Sequence, residues 1–266
     1  LMISVSTTWN ASCFNDGKSI ISQIKELGVN NIELGSSLSE DMLCDILKEK
    51  TNGNINVKSV HNFCPVPHGY DHNTFTSDYF SLSSPDQKQR SKALELTKKT
   101  IDTAKQIGAH HVIIHAGRVE LAERTKDLIK LFNQGKKGTA EYNDLVNQIK
   151  QERKEKKAPY LAAIMDSIKE ILAYAKASGI MICLENRFYY REIPSFDEIG
   201  DLFKEFAHAD NFCYWHDVGH AQVGENLGFC KHSDYLEAYS DKMAGMHLHD
   251  INGAKDHLAP GMGDFD

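Results

Sequence analysis

Residues 212–220 read FCYWHDVGH, an aromatic and apolar run that ends in His216, Asp217, Gly219 and His220. Imidazole and carboxylate are costly to desolvate without partners, so such a run ends either in a satisfied polar strand terminus or in part of a metal site. The same choice recurs along the chain. His61, His115, Glu185, Asp217 and the pair His247 and His249 each close a short apolar run, and histidine with carboxylate is the usual ligand set for Zn, Mn, Fe or Co. Taken singly, each is better read as a structural strand end. Five successive runs that all finish in a His, Asp or Glu point to one shared site.

Strand geometry says which of these side chains can meet, because residues two apart share a face. Trp215 and Asp217 then look one way and His216 the other, while His247 and His249 face together. Gly219 permits a tight turn that returns His220 to the side of Asp217. His110 and His111 start a run rather than end one and belong to the structural face. His68, His72, His208 and His232 fall in expected loops or helices and are expected in solvent.

The elements that must position these residues are short β-rich runs: ISVSTT (3–8), NIELG (31–35), NVKSVHNF (56–63), HHVIIHAG (110–117), IMICLEN (180–186), NFCYWHD (211–217) and MAGMHLHD (243–250). Amphipathic segments alternate with them, such as SIISQIKEL and LELTKKTIDTAKQIG, ending at Gly28 and Gly108. Alternating strands and helices predict an α/β fold, a (β/α)8 TIM barrel, with residues 1–266 as a single domain. In such barrels chemistry sits at the C-terminal strand ends, where the candidate residues lie. Residues 118–157, charged and weakly amphipathic, predict a helical insertion after the fourth strand, its KQERKEKK stretch a solvated helix surface. Seven runs are one short of eight. The last β/α unit is therefore expected to be missing from this chain, the natural protein continuing past Asp266.

Composition excludes several classes. A content of 41% hydrophobic and 25% charged residues is that of a water-soluble globular chain. Runs such as VII (112–114) are far too short for a membrane span of roughly 18 apolar residues. Six scattered cysteines without a C-x-x-C pair, and a first strand in place of a secretory leader, predict a cytoplasmic protein. A formal net charge of -7 opposes affinity built on phosphate neutralisation, so neither nucleic acid nor membrane is an expected partner. No Ser-His-Asp or Cys-His grouping and no Gly-rich phosphate loop stands out.

In order along the chain, SVHNFCPVP (59–67), VIIHAG (112–117), LENR (184–187), WHDVGH (215–220) and MHLHDINGAKDHLAPGMGDFD (246–266) form a specific set. On these motifs the chain resembles the xylose-isomerase-like TIM barrels, the sugar phosphate isomerase/epimerase group that also includes endonuclease IV. The resemblance implies a divalent metal (Mn, Zn, Co or Mg) held by Glu185, Asp217 and His247, with room for a second; the family's fourth ligand, a Glu on strand eight, has no counterpart. His247 is preferred to His249 because the family's H-x-N-D pattern puts the ligand three residues before the Asp, here Asp250. His61, His115, His220, Asp256 and His257 match positions that bind extra metals in endonuclease IV, although its D-x-H pair is here an adjacent Asp256 and His257.

The implied activity is isomerisation or epimerisation of a sugar, sugar phosphate or sugar acid through an enediolate. Glu185, His220 and Arg187 are the expected catalytic groups, and His61, His115, Trp215, His249 and His257 the expected substrate contacts. A small carbohydrate is the expected partner, and a homo-oligomer is compatible with this reading. The alternatives are an endonuclease IV-like phosphodiesterase on abasic DNA and a metal-binding barrel that acts on another polyol or turns nothing over.

Overall fold

All seven short runs become neighbouring strands of one parallel sheet. In this computed structural model, which describes residues 2–265, the strands are β1 (Val5–Ser6), β2 (Asn31–Leu34), β3 (Asn56–His61), β4 (His111–Ile114), β5 (Met181–Glu185), β6 (Phe212–Asp217) and β7 (Met243–His247). Each pairs in parallel with the next, so chain order is also spatial order. That arrangement, with a helical connection outside between one strand and the next, is the TIM-barrel pattern. Among the described residues β1 and β7 remain edges, and no eighth strand joins them. Met246 of β7 and Leu248, just beyond it, are exposed.

Local chemistry explains where the helices start and stop. Asp16, Ser39 and Asp86 cap α1 (Gly17–Glu26), α2 (Glu40–Thr51) and α3 (Gln87–Ile107) by accepting backbone N–H groups of the first turn. Gly108 ends α3 in the left-handed conformation at φ 70°, which costs a residue without a β-carbon least. Ala93, Thr97, Ile101 and Ala104 of α3 are buried, a stripe at helical spacing that faces the sheet. Each fully buried leucine or isoleucine of this core adds roughly 1.5–3 kcal/mol.

The excursion after β4 is helical, as α4 (Thr125–Asn133) and α5 (Ala140–Lys156), and α6 (Ala158–Ser178) follows directly. It is not solvated on every side. Leu128, Tyr142, Leu145 and Ile149 pack in one buried cluster with Val223 and Leu227 of α8 (Val218–Leu227). Arg153, within the stretch expected to be all surface, is 3% exposed and forms a two-pronged ion pair with Glu198 (2.6 and 2.8 Å) on α7 (Phe196–Glu205). Periodicity hid it because a lone buried Arg leaves no apolar repeat.

Candidate metal centre

The inward faces of β5, β6 and β7 bring Glu185, Asp217 and His247 together at their C-terminal ends. Register does this directly: Asp217 stands opposite His247, and Glu185 opposite Trp215. One ligand atom from each of the three lies within 4.8 Å of the others. His247 Nδ1 is 3.4 Å from Glu185 Oε1 and 3.6 Å from Asp217 Oδ2. His61, His115 and Glu185 form a second such group, and Asp217, His220 and His257 a third. The three are contiguous, since Glu185 and Asp217 each belong to two of them.

Hydrogen bonds to backbone carbonyls favour one protonated ring nitrogen in two of the histidines. The Asn62 carbonyl accepts from His61 Nδ1 (2.9 Å) and the Asn186 carbonyl from His220 Nδ1 (3.0 Å). A carbonyl only accepts, so in both rings the lone pair is left on Nε2. His61 Nε2 faces Glu185 Oε2 at 3.1 Å, a second acceptor, so a neutral ring can donate to only one of the two, and a proton held on Nδ1 by the Asn62 carbonyl leaves Nε2 free for an ion beside Glu185. His115 Nδ1 lies 3.0 Å from Asp78, while its Nε2 lies 3.3 Å from Glu185 and 2.6 Å from Arg187. His249 is arranged in reverse: its Nδ1 accepts the His257 amide N–H (3.0 Å), so Nε2 carries the proton and donates to Asp217 Oδ1 (3.0 Å). As a neutral ring it therefore presents no lone pair to an ion, whereas His247 does.

Electrostatics fit a cation. Burial pushes the carboxyls of Glu185 and Asp217 up, but for Glu185 the nearby His247 and His115, and for Asp217 the nearby His220 with hydrogen bonds from His247 and His249, outweigh it and hold both well below the ordinary range. Burial lowers His247, yet Glu33 and Glu185 raise it well above an ordinary imidazole. Burial and Arg187 lower His115, and Asp78 and Glu185 bring it to about 9. Positive charge on the rings thus balances packed buried carboxylates. A divalent ion bound by Glu185, Asp217 and Nδ1 of His247 would take over that balance and keep positions open for substrate oxygens.

Other expected residues sit as follows. Trp215 is buried with Ile113, Cys183 and Cys213 inside the sheet, its ring edge-on to His247 at 5.5 Å. It packs in the core and abuts the cluster through His247. Arg187 is enclosed by Glu192 (3.0 Å), Asp78 (3.4 Å) and His115, so its charge is already met. His257 is exposed at φ 58°, on a two-stranded hairpin of Asp250–Asn252 and Lys255–Leu258, with Nδ1 2.9 Å from Asp256.

Gly219 is no turn. It lies in α8, whose first turn returns His220 to Asp217: the Asp217 carboxylate caps that helix by accepting the His220 amide N–H at 2.7 Å. His216 points outward as alternation predicts, and its Nε2 lies 2.9 Å from His232, which is half-buried rather than solvated.

Three participants were not singled out in the sequence. Glu33 is a lone carboxylate inside the apolar NIELG run, and that is a readable signal. Asn186 follows Glu185, and its side chain ties β5 to β6 by donating to the Asp217 carbonyl (2.9 Å) and accepting the Asp217 amide (2.7 Å). Asp78 lies in an irregular loop with nothing in its surroundings to mark it.

The model of the xylose isomerase-like TIM barrel family matches residues 21–266, and the chain belongs to that family. Its structure is similar to that of a D-tagatose 3-epimerase-like protein, with TM-score 0.66 and 18% identity over 100% of this chain and 83% of that one. It is also similar to a 3-keto-D-glucoside 4-epimerase from E. coli (TM-score 0.67, 14% identity, 100% and 84% covered). A D-allulose 3-epimerase from Methylomonas sp., in complex with D-allulose, is a third (TM-score 0.64, 14% identity, 100% and 76% covered). At such identities the likeness establishes the fold. No curated protein sequence matches the chain. Among the described residues no helix is long and apolar enough to cross a membrane.

Proposed function

We propose that this protein is a metal-dependent sugar isomerase or epimerase that moves a proton at a carbon next to a carbonyl. The observation that carries the reading is the convergence of Glu185, Asp217 and His247 at three successive strand ends. Sugar epimerisation by the similar folds named above supports it. Positive charge beside the two substrate oxygens where an enediolate develops is the chemistry a bound divalent ion supplies.

The residues of the chain supply the rest. Glu185, held ionised at neutral pH, is the group placed to accept a proton on a carboxylate oxygen. His61, with Nε2 beside Glu185, and His220, with Nε2 toward Asp256, are the rings proposed to bind sugar hydroxyls or a second ion. Arg187 holds His115 in place. Because its guanidinium is already surrounded by Asp78 and Glu192, an uncharged sugar suits the site better than a phosphate or an acid.

The experiment is NMR of ketoses and their phosphates in deuterated buffer with Mn, Co, Mg or Zn. Deuterium should enter the carbon beside the carbonyl, and Glu185→Gln should abolish the exchange. Exchange that survives this change removes Glu185 from the proton path. A second reading, cleavage of a phosphodiester, draws on the contiguity of the three donor groups. Three bound metals per chain and cleavage of abasic DNA, without any sugar exchange, would establish it in place of the first.

A further inference from the structure

Glu33 is 5% exposed and its flanking residues Ile32 and Leu34 are fully buried, yet the reaction described above gives it no part. A buried carboxylate persists only with partners. Glu33 has two. Ser59 donates its hydroxyl to Oε2 at 2.7 Å from the neighbouring strand β3. His247 lies across the sheet interior, 214 residues away in the chain, with Nε2 3.2 Å from Oε1 and 3.3 Å from Oε2.

The ring of His247 is confined on its other sides as well. Trp215 meets it edge-on at 5.5 Å, and the His61 ring stacks at 5.8 Å. A carboxylate only accepts, so the proton beside Glu33 stays on Nε2, and Nδ1 is the nitrogen left for Glu185, Asp217 and anything they bind.

We propose that Glu33 is a positioning residue that makes His247 an Nδ1 ligand, fixing the ring from β2 while Ser59 aims the carboxylate. The inference rests on the metal reading above and adds to it which nitrogen binds and what holds it there. Outer carboxylates of this kind orient ligating histidines and raise their basicity.

The test is binding of Co(II) to the metal-free protein by calorimetry, with 113Cd NMR of 15N-histidine-labelled protein. The wild type should show cadmium coupled to Nδ1 of His247. Glu33→Ala should weaken Co(II) binding on the order of 10- to 100-fold and lose the single Nδ1 coupling. Glu33→Gln, which keeps an accepting oxygen and nearly the same shape, should retain the Nδ1 coupling with an intermediate loss of affinity. It also serves if the alanine variant does not fold. Coupling to Nε2 in the wild type, or unchanged Co(II) affinity in both variants, would overturn the proposal and leave the sugar reaction standing. A wild type that binds neither ion would overturn the metal reading and this inference together.

Discussion

A β-carbon on Gly219 would lie 2.0 Å from Cε1 of His249. The absence of a side chain in the first turn of α8 is therefore what lets the His249 ring lie against Asp217, where it donates its hydrogen bond. Alanine favours a helix over glycine by about 1 kcal/mol, and the atoms its β-carbon meets belong to the end of a side chain and not to backbone. Gly219→Ala should thus change the unfolding temperature little while weakening Co(II) binding several-fold, as Asp217 loses a partner. Unchanged affinity would show that His249 does not help to aim Asp217.

Removal of one ligand charge should empty the site. Glu185→Gln and Asp217→Asn keep shape and one accepting oxygen but not the charge that attracts a divalent ion. Elemental analysis of both purified variants should find the metal content near zero. Full retention in either would exclude that residue as a ligand.

Proton release should accompany metal binding. His247 keeps its proton above the ordinary imidazole range because, although burial lowers it, Glu33 and Glu185 raise it further. An ion requires the unprotonated nitrogen, so affinity should climb with pH until that raised value is passed and should fall as pH drops. The sign for the metal-free protein is opposite: the stability supplied by protonated His247 is present below its unfolded value and is lost as pH rises through the folded one. Calorimetry at neutral pH in two buffers of different ionisation enthalpy measures the protons released. Identical heats would contradict the arrangement.

Arg153→Met should be strongly destabilising. It leaves Glu198, 2% exposed, with only Lys157 at 3.2 Å as a cationic partner. Breaking a buried ion pair from one side costs about 3–5 kcal/mol, and the partly exposed Lys157 places the expected loss at the lower end. Urea denaturation gives the value, and a loss below the effect of an ordinary surface substitution would refute it.

Gly245→Ala should disturb the site from below. Its new β-carbon would fall 2.3 Å from the Trp215 ring, a rigid side chain locked in the interior, and overpacking of this kind costs about 1–3 kcal/mol. Since Trp215 abuts His247, Co(II) affinity should fall together with the unfolding temperature. A drop in stability alone would separate the core from the site.

The sequence by itself determined the strand order, the faces and the strand ends. Period-two alternation turns Cys213, Trp215 and Asp217 inward and His216 outward whatever surrounds them, and Gly108 stops its helix for a reason local to one residue. For that reason His61, His115, Glu185, Asp217 and the pair His247 and His249 could be read as one shared site from the chain alone, while the choice of Glu185, Asp217 and His247 among them came from the resemblance to a family. Only the tertiary structure decided the rest. Alternation assigns a side chain to a face but not a depth, so it could not say that Trp215 is buried with Ile113, Cys183 and Cys213. The choice of ring nitrogen depends on the partner behind each histidine, and those partners come from elsewhere: Glu33 for His247 across 214 residues, Asp78 for His115 across 37. Arg153 was buried by a carboxylate 45 residues further on. These are pairings between single residues with no periodicity of their own, and they exist only once the strands and helices have brought distant parts of the chain together.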